Sequence, residues 1–82
     1  MNMHVSPIIV DAFWDAEAGV FVATSNDVPG LITEATTTAE LQAKLEVLIP
    51  ELLELNSEHV DQFHDVPLVI RSEQTSTVRV PA

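Results

Sequence analysis

The sequence predicts an α+β domain of order β-β-β-α-β, in which an antiparallel sheet packs one main helix on one face. Three observations predict this class. First, two extended apolar runs flank a short loop that contains a glycine. Second, a Pro-Gly turn and a short alternating run follow. Third, leucines recur at helical spacing before a last run of β-branched residues. The 82 residues make one domain, 1–82, near the lower size at which a single core suffices.

The first two strands are predicted over residues 5–14 and 20–25, which are rich in β-branched and aromatic side chains. Residues 15–19 connect them as a hairpin, and the glycine of this loop is expected to have positive φ. Alternation of side chains places large apolar groups on both faces of the hairpin. We expect Phe13 and Phe21 to lie on one face, as an apolar patch that binds a partner or a second copy.

A Pro-Gly turn then leads to a short third strand over residues 31–35. Proline presets the second position of a type II turn, and Gly30 accepts the positive φ of the third. Thr37 and Glu40 have the spacing of a capping box, in which the threonine hydroxyl accepts the Glu40 N–H and the carboxylate reaches back. This stretch therefore predicts a turn, a strand and a helix start.

The helix is predicted from Thr38 to about Glu58. Its apolar stripe consists of leucines alternately four and three residues apart: Leu41, Leu45, Leu48, Leu52 and Leu55. Pro50 lies inside the pattern, where it removes one helical hydrogen bond and clashes with the carbonyl of Glu46. The stripe continues across the proline, so we expect a bend and not the end of the helix.

A fourth strand is predicted over residues 66–71, after a polar and acidic segment over 56–65. Residues 72–82 contain further β-favouring side chains. We expect this last segment to form an extra strand or to remain an extended tail.

The charge balance limits the classes of partner that the chain can bind. Thirteen acidic residues face three basic ones, which gives a net charge of -10, and the 46% hydrophobic content excludes a disordered polyanion. Such a surface repels phosphate backbones, so direct nucleic-acid binding is not expected, whereas a basic protein would be attracted. The chain has no cysteine, no signal-peptide pattern and no apolar run of membrane-spanning length, so we expect no membrane insertion and a cytoplasmic location.

Two groups of side chains have the residue types of metal ligands. The first group is acidic: Asp11, Asp15, Asp27 and Glu34. A two-metal nuclease needs such a cluster, but the positions of the second strand that would complete it are apolar, which favours solvating acids. The second group is His59, Asp61, His64 and Asp65. Its histidines are five residues apart, which does not align them on one helix face. We therefore expect no metal site, no cofactor and no catalytic residue.

Several stretches of the chain resemble the DUF1902 family, small bacterial proteins of unknown function that are similar to the N-terminal domain of HicB antitoxins. The matching stretches are 9–15, 17–25, 27–31, 34–35 and 49–52, together with Leu41, Lys44 and Leu45. The resemblance covers residues 5–72. It implies a HicB-like fold, related in architecture to double-stranded-RNA-binding domains and to a degenerate ribonuclease H core. It also implies an antitoxin-type role, in which the domain binds a small basic HicA-like mRNA-cleaving toxin and blocks its RNA surface or its catalytic histidine.

Three function hypotheses follow. The first is a non-catalytic, HicB-like protein-binding module that neutralises such a toxin. Its partner surface would consist of acids beside the aromatic patch: Asp15, Glu17, Asp27 and Glu34 with Phe13 and Phe21. The second is an orphan homo-oligomeric domain whose partner is a second copy. The third is a residual metal-dependent nuclease that uses Asp11 with other carboxylates.

Overall fold

A computed structural model of the chain describes residues 6–56 and 64–82. The elements, in chain order, are β1 (Ile8–Asp15), β2 (Val20–Thr24), β3 (Ile32–Ala35), α1 (Thr38–Leu55) and β4 (Leu68–Glu73). This order confirms the predicted α+β class. The predicted strand start at Val5 and the predicted helix end at Glu58 lie outside the described residues.

The strands form one four-stranded sheet in the order β3-β2-β1-β4. β1 pairs with β2, and β2 with β3, in antiparallel fashion. β4 instead lies parallel to β1, with Leu68 opposite Ile8 and Glu73 opposite Phe13. The sheet is therefore mixed, where the sequence predicted an antiparallel one. The reason is the 18-residue helix, which is about 27 Å long and returns the chain to the end of the sheet from which β3 started.

The core lies between α1 and one face of the sheet. Among the described residues the buried set is apolar throughout: Val10, Ala12, Ala23, Val28, Leu31, Ala35, Leu41, Leu45 and Ile49. Three of these residues are alanines, one on each of β1, β2 and β3. The half-buried Leu48 and Leu52 extend the helical stripe at the margin of this core.

The helix begins where the sequence predicted. Thr37 is the N-cap, and its hydroxyl accepts the N–H of Glu40 at 3.1 Å. The carboxylate of Glu40 accepts from the Thr36 hydroxyl at 3.0 Å and lies 3.5 Å from the Lys44 ammonium, so it takes partners other than the Thr37 N–H that a full capping box would use. Pro50 lies within a continuous helix, which confirms that the helix does not end there.

Both glycines occupy the turn positions that the sequence predicted. Gly30 has φ of 83°, and the Leu31 N–H donates to the Val28 carbonyl at 3.2 Å, which closes the Pro-Gly turn. Gly19 has φ of 70°, and its N–H donates to the Asp15 carbonyl at 2.8 Å. In both turns a residue without Cβ adopts a conformation that other residues reach only with strain.

The C-terminal segment after the helix consists of a strand and a tail. β4 extends to Glu73, two residues beyond its predicted end, and residues 74–82 form an exposed tail without helix or strand. In the described part of the chain, no helix combines the length and the apolarity needed to cross a bilayer.

Candidate interaction surface

The two faces of the sheet have different surroundings. The helix face carries the buried Val10, Ala12, Ala23 and Ala35 and is covered by α1. The opposite face, which we call the open face, consists of the alternate residues of each strand: Ile9, Asp11, Phe13 and Asp15 (β1), Val20, Val22 and Thr24 (β2), Ile32 and Glu34 (β3), and Val69, Arg71 and Glu73 (β4). Within residues 6–56 and 64–82 no helix or strand packs on the open face.

The two phenylalanines that were predicted to form one patch lie on opposite faces of the sheet. Phe13 pairs with Val22 on the open face and is 50% exposed. Phe21 pairs with Trp14 on the helix face, with ring centroids 4.9 Å apart in an edge-to-face arrangement, and packs against the core. The prediction that Phe13 and Phe21 form one patch is therefore wrong. Of the two, Phe13 is the exposed one.

The hairpin register gives the physical reason. Asp15 lies opposite Val20, so the loop contains the four residues 16–19, and every pair joins an odd position of β1 to an even position of β2 or the reverse. Residues opposite each other in an antiparallel pair share a face. Alternation shows which side chains of one strand share a face. It shows which side chains of two strands share a face only when the pairing register of the strands is known.

The predicted acidic rim does not gather in one place. Asp15 and Glu17 lie at the end of the sheet where β1 finishes, and the Asp15 carboxylate accepts the N–H groups of Glu17 at 3.1 Å and Ala18 at 3.2 Å. Asp27 lies beside Ile9, near the start of β1, so roughly 20 Å of strand separates it from Asp15. These acids are therefore distributed over two ends of the sheet.

Asp27 has a structural role that the sequence did not predict. Its carboxylate accepts the Ile9 N–H at 2.8 Å. The Ser25 hydroxyl donates to the Ile9 carbonyl at 2.6 Å and accepts the Asp27 N–H at 3.0 Å. β2 ends at Thr24, so these two side chains take the place of strand partners for Ile9. The sequence signal for this role was a serine and an acidic residue two positions apart, directly after a strand.

Glu34 lies on the open face, in a row that crosses all four strands. The register places Glu34 opposite Val22, Val22 opposite Phe13, and Phe13 opposite Glu73. An apolar pair is thus flanked by a carboxylate on either side. Ile32, on β3, is 70% exposed. The open face consequently combines apolar area with negative charge, which the helix face does not.

Asp11 has no carboxylate directly beside it on the open face. Its cross-strand neighbours are Thr24 and Arg71. Among residues 6–56 and 64–82, no three His, Asp or Glu side chains come together as metal ligands. His64 and Asp65 are exposed, and His59 and Asp61 lie outside the described residues.

These features define the class: a small α+β domain with a mixed four-stranded sheet, one face of which no helix or strand of the described residues covers. The model of the family "Domain of unknown function (DUF1902)" matches residues 7–82, so the chain belongs to this family. Among solved structures, the chain is similar to a hypothetical protein from the extremely thermophilic bacterium Thermus thermophilus. Identity is 48% over 92% of this chain and 100% of that chain, with a TM-score of 0.66. A comparison with curated proteins finds no match.

Proposed function

We propose that this chain is a non-catalytic, HicB-like protein-binding module that binds a small basic protein through its open face. The observation that carries the proposal is the row in which the exposed Phe13 and its neighbour Val22 lie between Glu34 and Glu73. An antitoxin-type role against a HicA-like mRNA-cleaving toxin is the form of this function that the family resemblance suggests.

The charge supports a basic partner. With a net charge of -10, the domain attracts cations over the whole surface and raises the rate of encounter with a positive protein. A protein that cleaves mRNA needs positive charge to hold its substrate. The same positive surface would bind this domain and would then be closed to RNA.

The apolar part of the open face supports binding by contact as well as by charge. Aromatic residues dominate the energy of protein interfaces when they are buried near the centre. Covering the exposed half of Phe13 removes on the order of 100 Å² from water, which contributes about 2.5 kcal/mol at about 25 cal/mol per Å². Val22 and Ile32 lie on the same face and enlarge the contact area.

Co-expression with the adjacent reading frame tests the antitoxin role. We expect that frame to encode a small basic protein that arrests growth alone, and we expect this chain to restore growth and to co-purify with it. A neighbour that is neither small nor basic, or an arrest that this chain does not relieve, would refute the antitoxin role.

A cleavage assay separates the proposal from the nuclease hypothesis. At high protein concentration with Mg²⁺ or Mn²⁺, we expect no cleavage of RNA or DNA. Cleavage by the purified chain that is lost in Asp11→Asn would replace the binding function with a catalytic one.

A second candidate is the homo-oligomeric domain. It is favoured by a different observation: among residues 6–56 and 64–82, no strand pairs with the outer edge of β4.

A further inference from the structure

The two edges of the sheet are protected to different degrees. β3 forms one edge, is four residues long, and has its Glu34 carbonyl bonded to the Lys44 ammonium at 2.7 Å. β4 forms the other edge and is six residues long. Within the described ranges no strand pairs with its outer side. Long unpaired edges are pairing templates that proteins normally block with lysine, proline or a covering element.

The parallel register shows which backbone groups of β4 point outward. The Ile8 N–H donates to the Pro67 carbonyl at 2.9 Å, and Ile8 lies opposite Leu68. In a parallel ladder a residue bonds to the two neighbours of its partner, so the odd residues of β4 turn toward β1. Leu68, Ile70 and Ser72 therefore direct their N–H and C=O groups away from the sheet.

The side chains of this edge are apolar on both faces. Leu68 and Ile70 lie on the helix face and are only half-buried, because α1 packs over β2 and β3. Val69 lies on the open face and is 39% exposed. The charged side chains of the strand are Arg71 and Glu73, of opposite sign. The β4 edge thus lacks the excess negative charge of the chain as a whole.

We propose that β4 pairs in antiparallel fashion with β4 of a second copy, about a two-fold axis at Ile70, so that two sheets join into one. The outward-facing residues are symmetric about this position. In this register Ile70 lies opposite Ile70 of the second copy, and Leu68 lies opposite Ser72 in both directions. Each outward N–H then meets an outward C=O, and the half-buried Leu68 and Ile70 are covered.

Charge selects this register over its two neighbours. Here Val69 lies opposite Arg71, and Glu73 lies opposite Pro67. A shift by two residues in one direction places Arg71 opposite itself, and a shift in the other places Glu73 opposite Asp65. Like charges directly opposite each other are destabilising. In this register the edge N–H and C=O groups pair with those of a second copy and no like charges lie directly opposite each other, which makes a second copy a fitting partner.

The pairing is independent of the proposed function, because the β4 edge and the open face are separate surfaces. Joining two β4 edges leaves Phe13 and Val22 accessible on both copies. It also makes the two open faces continuous, since paired strands belong to one sheet.

Single-cysteine variants of the full chain test the pairing and its register, since the chain has no cysteine of its own. The Cβ atoms of a hydrogen-bonded antiparallel pair are about 5.5 Å apart, which is too far for an unstrained disulfide but within reach of a short bismaleimide crosslinker. We expect Ile70→Cys to form a covalent dimer with this crosslinker. Ser72→Cys is the matched control on the same face of β4, and its two thiols would be separated by roughly 13 Å of strand. It should stay uncrosslinked alone but crosslink when mixed with Leu68→Cys.

Sedimentation of the chain without cysteine provides a second measurement. We expect twice the 9.0 kDa chain mass, and a monomer for Ser72→Pro, which removes an outward N–H without breaking the bonds to β1. Circular dichroism checks that this variant is folded. A wild-type chain that is monomeric at high concentration would overturn the proposal, as would a dimer in which Ser72→Cys crosslinks alone and Ile70→Cys does not. A monomeric chain that still restores growth beside the toxin would refute the pairing and leave the proposed function intact.

Discussion

Replacing Asp27 with alanine tests how the turn after β2 is held to the sheet. The carboxylate accepts the Ile9 N–H at 2.8 Å, and β2 ends too early to supply another partner. A hydrogen bond to a charged group contributes about 1.5–3 kcal/mol, and the exposure of Asp27 places it at the lower end, about 1.5 kcal/mol. For a domain of this size, we expect Asp27→Ala to lower the Tm by roughly 6–12 °C.

Thermal unfolding followed by circular dichroism measures this effect. Glu17→Ala is the matched control, because it removes one exposed acid whose carboxylate makes no hydrogen bond within the described residues. Its stability should stay within about 0.5 kcal/mol of wild type. The Ser25 hydroxyl accepts the Asp27 N–H, so Ser25→Ala combined with Asp27→Ala should cost less than the sum of the two. Equal Tm values for Asp27→Ala and Glu17→Ala would refute the reasoning.

Substitutions at four further positions have outcomes that follow from local geometry. Gly30→Ala should cost about 1–2 kcal/mol in urea unfolding, because its Cβ would meet Leu52 at an ordinary 3.9 Å and only the positive φ is strained. Gly19→Ala should cost the same, with Gly19→Asn less costly; a neutral alanine at either position would contradict the assignment of the strain to φ. Pro50→Ala should stabilise the chain by about 1–2 kcal/mol, since it restores a helical hydrogen bond inside α1, and a lower Tm would show that the proline is needed for packing. Thr37→Ala should cost about 1 kcal/mol by loss of the N-cap, and an unchanged Tm would refute that role.

The local structure was predictable because each signal needs only a few neighbouring residues. Gly30 after proline predicted the turn, and Thr37 three residues before Glu40 predicted the helix start. The helical stripe also predicted Leu41 and Leu45 as core residues, which are fully buried. In each case the determining interaction is within one turn or one face of a single element.

The long-range pairing was not predictable by the same means. The parallel direction of β4 depends on where α1 returns the chain, and the separation of Phe13 from Phe21 depends on the hairpin register. A hairpin register shifted by one residue would have placed both rings on the same face. The candidate site changed accordingly: Phe13 and Glu34 remain on the open face, Phe21 joins the helix face, and Asp27 is engaged with the backbone of β1.

The proposed function depends on the open face, and one pair of variants tests it most directly. Phe13→Asp places a charge on the open face, and Val47→Asp places the same charge on the exposed side of α1, where Val47 is 63% exposed. The measurement is the affinity of wild type and both variants for the small basic protein that we expect the adjacent reading frame to encode, by calorimetry at one salt concentration. Loss of an interface aromatic typically costs about 2 kcal/mol or more, so we expect Phe13→Asp to weaken binding by at least about thirtyfold and Val47→Asp by less than about twofold. Equal affinities for the two variants, or a greater loss in Val47→Asp, would contradict binding through the open face.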